Sequence, residues 1–371
     1  PGGIGSGGNI TINTKTLTLQ NGGDISSALY RSDSNELLGA RGEAGNIKIN
    51  ATDSVKILGI STFNFPIPVP NPYAPSQHTP TQGYSSGIYV QSERGASGSA
   101  GNIDLTTDRL MITDGAVISS STKNDGNAGD IQIISNTVEL LNGGQILSTT
   151  EGSGQGGNID LQIGNNLTLS GVDFNFESRL SQAVIDSNFP TDIVTNKGAN
   201  SGVFASSGSN AQGNAGSIIV NSLLDHPTNL VLAAGGTFSA NTEGQANAGS
   251  IRLHDIDTLT LHKGFISTEI TPTGRATQPS DIEIAAKTLA LENSSEITAD
   301  SHGTGNAGKI DLSKVETLTI AGGSSISSST SGQGNSGSID LTGAKSVTGT
   351  GGTISTAVLV GGQGTGGSIT I

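Results

Sequence analysis

One short motif recurs along the whole chain and constrains its fold more than any other feature. A polar, glycine-rich turn runs into two aliphatic residues spaced by two, as in residues 126–133 (GNAGDIQI) and 305–312 (GNAGKIDL). The first aliphatic residue is isoleucine in all eleven copies: Ile10, Ile47, Ile103, Ile131, Ile159, Ile218, Ile251, Ile282, Ile310, Ile339 and Ile369. Glycine stands two positions earlier in every copy except one, which has Ser280. The underlying period of about 28–30 residues is typical of solenoids, propellers and other arrays.

Within one period, apolar residues alternate with polar ones. This two-residue rhythm is typical of strands, whereas an amphipathic helix has a period of 3.6, so we expect no helices. The repeat that begins at Ile103 contains three such segments, around Ile103, Leu110 and Ile118. Three short strands per coil predict an all-β, right-handed parallel β-helix of about ten coils.

A β-propeller is the rival repeat fold. Its blades need about 40 residues and four strands, usually with an aromatic signature. Aromatic residues make up only 3% of this chain and tryptophan is absent, so the composition favours the β-helix. We expect a column of small inward residues behind the third strand: Ser120, Ser148, Ala240, Thr268, Ala299 and Ser328.

An amide side chain recurs in the turn before the isoleucine. Asparagine stands there in five copies, and glutamine or threonine in two others: Asn127, Asn214, Asn247, Asn306, Asn335, Gln155 and Thr365. Stacked one coil apart, such side chains can form a hydrogen-bonded ladder. Alternatively, they only tolerate the left-handed backbone of a turn. The sequence leaves both interpretations open.

Composition excludes several classes of function. The chain has 371 residues and a formal net charge of −14, without a basic cluster, so we expect neither nucleic-acid binding nor membrane insertion. Cysteine is absent, which excludes disulfides and thiolate metal sites. The uninterrupted repeat predicts one elongated domain over residues 1–371. Both ends fall within the repeat, as expected for a segment of something longer.

The repeat resembles a known family. Residues 126–133 read GNAGDIQI, residues 138–140 belong to the second strand, and residues 142–148 read NGGQILS. Strings of GNAGxIxI, xLTL and NGGxIS are similar to the passenger domains of filamentous haemagglutinin-like exoproteins, especially the cyanobacterial ones. The resemblance covers nearly the whole chain. It implies the two-partner secretion pathway, with export through an outer-membrane transporter to the exterior or outer surface of a Gram-negative bacterium.

The sharpest candidates for chemistry lie just after the isoleucines. Arg252, Glu283, Asp311 and Asp340 occupy that outward position in four successive coils. Three carboxylates about one coil apart are a candidate calcium site or acid/base group. Alternatively they are surface charges, with Lys309 placed to neutralise Asp311 and Glu283. No aromatic platform for a sugar ring accompanies them, so we favour surface charges and expect calcium to change the thermal stability little.

Two further patterns carry little weight. Residues 83–87 (GYSSG) match the GxSxG pattern of a nucleophile elbow, which needs a following helix and a nearby histidine and acid. The histidines show no ligand spacing and are expected in loops or at the surface: His78, His226, His254, His262 and His302. We therefore expect no catalytic centre, no metal and no cofactor.

Two coils are lengthened by about 30 residues, at about 59–86 and 171–201. The insertions begin alike, with FNF at 63–65 and 174–176, and end alike, with SGIY at 86–89 and SGVF at 201–204. They are predicted to be one loop used twice, the first of them stiff and proline-rich. Because they lie three coils apart, or roughly 14 Å, they are expected to emerge on one side of the rod and touch.

Long loops on a rigid scaffold usually carry binding. Four aromatic residues are the candidate binding residues: Tyr73, Tyr84, Tyr89 and Phe189. The aromatic residues that open the insertions are expected to be buried against the sheet: Phe63, Phe65, Phe174 and Phe176. Alternatively, the insertions only cover apolar sheet.

Together these patterns favour a non-enzymatic, secreted or cell-surface rod with a structural or adhesive function. Its expected partners are the export transporter, further copies joined end to end, and surface glycans. The alternative is a carbohydrate-active or carbohydrate-binding parallel β-helix, which requires acidic and aromatic groups to converge on one groove.

Overall fold

The computed structural model of the chain describes residues 4–29, 40–61, 83–186, 194–223 and 228–371. All strands in these ranges belong to two parallel sheets, one of 13 strands and one of 10. The predicted all-β parallel β-helix is confirmed. The expectation of no helix was wrong, because the second insertion contains α1 (Phe176–Asp186), where the two-residue rhythm of the repeat is interrupted.

The first sheet is built from the strands that begin at the isoleucine motif, each paired with its equivalent in the next coil. In most coils the first and second predicted segments are joined in one long strand; β11/β12 and β20/β21 keep them separate. The members are β1 (Ile10–Gln20), β3 (Ile47–Leu58), β5 (Ile103–Thr113), β7 (Ile131–Leu141), β9 (Ile159–Ser170), β11 (Ile218–Ser222), β12 (Thr228–Ala233), β14 (Ile251–His262), β16 (Ile282–Glu292), β18 (Lys309–Ala321), β20 (Ser338–Asp340), β21 (Ser346–Thr350) and β23 (Ser368–Thr370).

The second sheet consists of short strands, three residues each, that stack in the same order. Its members are β2 (Asp24–Ser26), β4 (Gly87–Tyr89), β6 (Val117–Ser119), β8 (Gln145–Leu147), β10 (Gly202–Phe204), β13 (Thr237–Ser239), β15 (Phe265–Ser267), β17 (Glu296–Thr298), β19 (Ser325–Ser327) and β22 (Thr353–Ser355). A further line of single parallel bridges follows this sheet from Leu29 to Val358.

The isoleucines stack in one inward column, as predicted. Each pairs directly with the isoleucine of the neighbouring coil from Ile10 to Ile369. In β5, residues 103, 105 and 107 are buried, two exposed residues follow, and the alternation resumes at Leu110. This phase change lets one strand turn a corner while its aliphatic side chains stay inside, where each contributes roughly 1.5–3 kcal/mol of burial.

The turn before the isoleucine forms a hydrogen-bonded ladder. The side-chain oxygen of Asn127 accepts from Gln155 N at 2.9 Å, and that of Gln155 accepts from Asn214 N at 3.1 Å. The ladder therefore joins side chain to backbone rather than amide to amide. The amide residues themselves are not left-handed. Positive φ occurs at a neighbouring glycine in some copies, as at Gly305 (133°), and in the turn that leads into the short strand, where φ is 50° at Asn142 and 85° at Gly143.

In nine of the eleven copies, the glycine two residues before the isoleucine is required by close backbone contact. A Cβ on Gly129 would lie 1.9 Å from the carbonyl oxygen of Gly101 in the preceding coil. The predicted small inward residue fills the space beside this contact: Ser120 Oγ donates to Gly101 O at 2.7 Å and accepts from Gly129 N at 3.0 Å. The sequence pattern of glycine and small residues thus follows from coil-to-coil stacking.

We predict that Gly129→Ala destabilises the rod by about 1–3 kcal/mol, because the added methyl group forces two coils apart. Gly349→Ala is the matched control, since a Cβ there has no neighbour within 4 Å. Chemical unfolding of both variants measures the difference. Equal midpoints for the two variants would contradict the steric explanation.

Candidate functional site

The two insertions leave the β-helix in the same way. Single antiparallel bridges close their bases, between Ile60 and Ser85 in the first and between Val172 and Asn200 in the second. This shared base supports the prediction of one loop used twice, with the predicted bounds. Residues 62–82 and 187–193 lie outside the described ranges, and with them Phe63, Phe65, Tyr73 and Phe189.

A buried arginine of the second insertion pairs with an aspartate of the same insertion and also bonds to the first insertion. The side chains of Asp173 and Arg179, both in the second insertion, are 6% and 3% exposed. Arg179 Nη2 donates to Asp173 Oδ2, while Nη1 donates to Gly83 O at 3.0 Å and to Ser85 Oγ at 3.3 Å. Gly83 and Ser85 end the first insertion. The prediction that the insertions touch is therefore confirmed.

Two further contacts fix this ion pair to the helix start and to the coils. Asp173 Oδ1 accepts from Asn175 N at 2.8 Å, which forms an Asx turn that leads into the start of α1. Asn196 Oδ1 accepts from Ser85 Oγ at 3.0 Å, and its Nδ2 donates to Gly115 O at 3.2 Å. The cluster consequently holds the insertions and the underlying turns in one arrangement.

The aromatic residues that open the second insertion differ in their environments. Phe176 is 7% exposed and packs with Ala183 and Val194 in a small core of the insertion's own. Phe174 is 90% exposed, so the prediction that it is buried was wrong. It precedes the first turn of α1, and the helix directs Phe176 rather than Phe174 inward.

Tyr84 and Tyr89, two of the predicted binding residues, are both half-buried. Tyr89 lies on the outer face of the short-strand sheet against Val117, Leu147 and Phe204, and its hydroxyl donates to Ser85 O at 2.8 Å. Tyr89 is thereby engaged in holding the end of the first insertion. The backbone of Tyr84 bonds to Ser61 at the base of the same insertion.

A polar cavity of about 120 Å³ lies where the second insertion returns across the short-strand sheet. The lining includes Thr149 and Glu151 from the coils and Thr195 and Lys197 from the insertion. The hydroxyl of Thr195 is buried and has no hydrogen-bond partner within the described ranges. Hydroxyls and charges of both signs suit a ligand rich in hydroxyl groups. Sequence reasoning missed this cavity because it depends on the return path of the insertion.

The predicted column of carboxylates is present, but its charges are paired. Glu283 aligns with Asp311, and Asp311 with Asp340, on adjacent strands. Lys309 Nζ lies 2.7 Å from Asp311 and 3.6 Å from Asp340, whereas Glu283 is 2.9 Å from Lys314. Lys309 therefore neutralises Asp311, as expected, but Lys314 rather than Lys309 is the partner of Glu283.

Hydrogen bonds hold these carboxylates in their charged form. The bond from Lys314 lowers the pKa of Glu283. Burial alone raises the pKa of Asp311, but bonds from Lys309 and Ser313 outweigh it and the net direction is downward. Carboxylates with lowered pKa and ammonium partners are poor general acids, which argues against acid/base work at this column.

The two weaker sequence patterns have structural explanations. Ser85, the serine of the GxSxG match, is buried between Arg179 and Asn196, and β4 rather than a helix follows it. His254 and His262 lie beside carboxylates at the surface, while His78 and His226 are outside the described ranges. His302 is half-buried in a turn and stands beside Glu269 and Asp300.

Comparisons with protein-family models, with curated protein sequences and with solved structures found no match for this chain. The family resemblance of the repeat therefore stays a prediction. Among the described residues, α1 is much too short and polar to cross a lipid bilayer.

We predict that Arg179→Met destabilises the insertion-bearing flank by about 3–5 kcal/mol, because it leaves the carboxylate of Asp173 buried and unpaired. Hydrogen exchange and chemical unfolding measure the loss. Lys287→Met, which breaks an exposed pair with Asp257, is the control and should change stability little. The double variant with Asp173→Asn should recover part of the loss; no recovery would contradict an ion-pair origin.

We predict that Asp311→Asn lowers the melting temperature at pH 7 and that this difference disappears in acid. Because the folded-state pKa of Asp311 is lowered, its contribution is present above the unfolded value of about 3.9 and is lost as the pH falls below it. Asp104→Asn is the matched control at the same position of an earlier coil. A difference that persists at pH 2 would exclude the charge as its cause.

Proposed function

We propose that this chain is a segment of a secreted or cell-surface adhesive rod. The observation that carries the proposal is that both long insertions lie on one flank of a continuous solenoid and are fastened together by the buried pair of Asp173 and Arg179. A buried ion pair adds little net stability but fixes one geometry. A fixed surface on a rigid rod suits repeated binding to a partner.

The regular stacking of the coils supports a mechanical function. Eleven isoleucine copies in register correspond to a rod of roughly 50 Å at the spacing of parallel strands. Each strand pairs only with the strands of the neighbouring coils, so such a rod can be extended by adding repeats and can carry a binding flank away from its attachment point.

Export by the two-partner route belongs to the same proposal. Its support is the resemblance of the repeat to haemagglutinin-like exoproteins and the absence of cysteine, which suits a chain exported unfolded. The partner during export is then an outer-membrane transporter, and the location is the outer surface of a Gram-negative bacterium.

Surface glycans are the ligand class that we propose for the flank. The cavity beside the returning insertion presents hydroxyl, amide, carboxylate and ammonium groups, among them Gln91, Thr149, Glu151 and Lys197. These groups recognise sugar hydroxyls through directional hydrogen bonds. A glycan-cleaving enzyme is less well supported, because Glu283 and Asp311 are each paired with a lysine.

We predict that a variant carrying Thr149→Val and Glu151→Gln binds surface glycans at least about tenfold more weakly than the parent chain, because it loses the hydroxyl of Thr149 and the charged acceptor of Glu151. A glycan array followed by titration of the bound sugars measures this. The control carries Thr137→Val and Glu139→Gln, which change the same residue types in the same coil on the other sheet.

Removal of residues 66–81 provides an independent arm of the same experiment and should also abolish binding while the coils still fold. If binding survives both changes, the insertions do not bind glycans and only cover the apolar sheet. Release of shorter sugars from an acidic polysaccharide would instead favour the enzymatic alternative.

A further inference from the structure

Two carboxylates and an imidazole converge on the outer face of the short-strand sheet. Glu269 and Asp300 each stand two residues past a short strand, β15 and β17 respectively. Because β15 pairs with β17 in register, the two acids occupy equivalent positions of successive coils. His302 follows two residues after Asp300. One ligand atom from each of the three residues lies within 4.8 Å of the other two.

Asp300 is buried and held in place by the next coil. It is 7% exposed, and its Oδ1 accepts from Ser327 Oγ at 2.7 Å and from Ser329 N at 2.6 Å. Its Oδ2 has no hydrogen-bond donor within the described ranges. One oxygen of a largely buried carboxylate is thus left for another partner.

One ring nitrogen of His302 is held by a side chain of the next coil. Its Nδ1 lies 2.8 Å from Ser331 Oγ, and its backbone N–H donates to Ile270 O at 2.8 Å. In metal sites a neighbouring group commonly holds one ring nitrogen and so directs the other toward the ion. Here Ser331 holds Nδ1, so Nε2 is the ring nitrogen left for an ion.

The charges of this cluster differ from those of the column of Glu283, Asp311 and Asp340. In the part of the chain that the structure describes, no ion pair includes Glu269 or Asp300, in contrast to the lysine partners of Glu283 and Asp311. Two carboxylates at this spacing repel each other unless a cation joins them.

We propose that Glu269, Asp300 and His302 bind one divalent transition-metal ion, such as Zn²⁺ or Mn²⁺. Metal–ligand bonds of roughly 2.0–2.2 Å separate ligand atoms on opposite sides of an ion by roughly 4 Å, which is compatible with the observed spacing. An imidazole beside two carboxylates favours a transition metal over calcium, which takes oxygen ligands. The ion links two successive coils directly and, through Ser327, Ser329 and Ser331, orders a third.

The test is calorimetric titration of the chelator-treated chain with Zn²⁺ or Mn²⁺ alone, together with thermal melts. A hundredfold excess over the dissociation constant should raise the melting temperature by about 3 °C, since the ion binds the folded state. His302→Gln and Glu269→Gln should each weaken binding at this site at least about tenfold. His262→Gln is the matched control, because His262 also lies beside a carboxylate, at 3.6 Å from Glu292.

A spectroscopic signal from the bound metal tests the site directly and distinguishes loss of binding from poor folding of a variant. Co²⁺ bound to the parent chain should give visible absorption bands that are lost in His302→Gln and kept in His262→Gln. Metal binding that is unchanged in His302→Gln would overturn the proposal, as would a melting temperature of the parent chain that does not respond to either ion. A calcium effect of equal size that persists without His302 would also overturn it, by assigning binding to carboxylates alone.

Discussion

The structure depends on the close approach of successive backbones at the turn before each isoleucine. There the carbonyl oxygen of one glycine occupies the place where the next coil would have a Cβ, as between Gly101 and Gly129. This contact keeps neighbouring coils at the spacing of hydrogen-bonded parallel strands. Once that spacing is fixed, every residue stacks on the residue at the same position of the next coil, and the columns of isoleucine, serine and asparagine follow.

Stacking of equivalent residues also brings like charges together, and the rod handles this in two ways. In the column of Glu283, Asp311 and Asp340, lysines lie between the carboxylates, and the partly exposed pairs keep the acids ionised. Around Glu269 and Asp300 no lysine or arginine forms an ion pair within the described ranges, and the carboxylates are more deeply buried. The same repulsion is thus balanced by lysines at one place and, in our proposal, by a bound metal ion at the other.

The insertions show how a repetitive rod acquires a distinct surface. Their bases repeat the coil geometry, but their contacts do not: Arg179 reaches from one insertion to the other, and Asn196 bonds to the turns beneath. The returning segment of the second insertion also bonds to the short-strand sheet, where Lys197 N donates to Gln145 Oε1. On the outer face of this sheet Val117, Leu147 and Phe204 are buried together, with Tyr89 packed against them. The polar cavity lies where side chains of the second insertion meet side chains of the coils, so its lining combines residues of both.

The sequence by itself determined the β-helix, the isoleucine column and the bases of both insertions, because these depend on periodicity and on contacts between equivalent residues. It also placed Glu283, Asp311 and Asp340 in one column. It did not assign Lys314 to Glu283, foresee α1, or separate buried Phe176 from exposed Phe174. Only the tertiary structure brought His302 beside Glu269 and Asp300, and Arg179 beside Gly83. Those contacts join positions that are not equivalent in the repeat, so their geometry is set by the paths of turns and insertions that no period encodes.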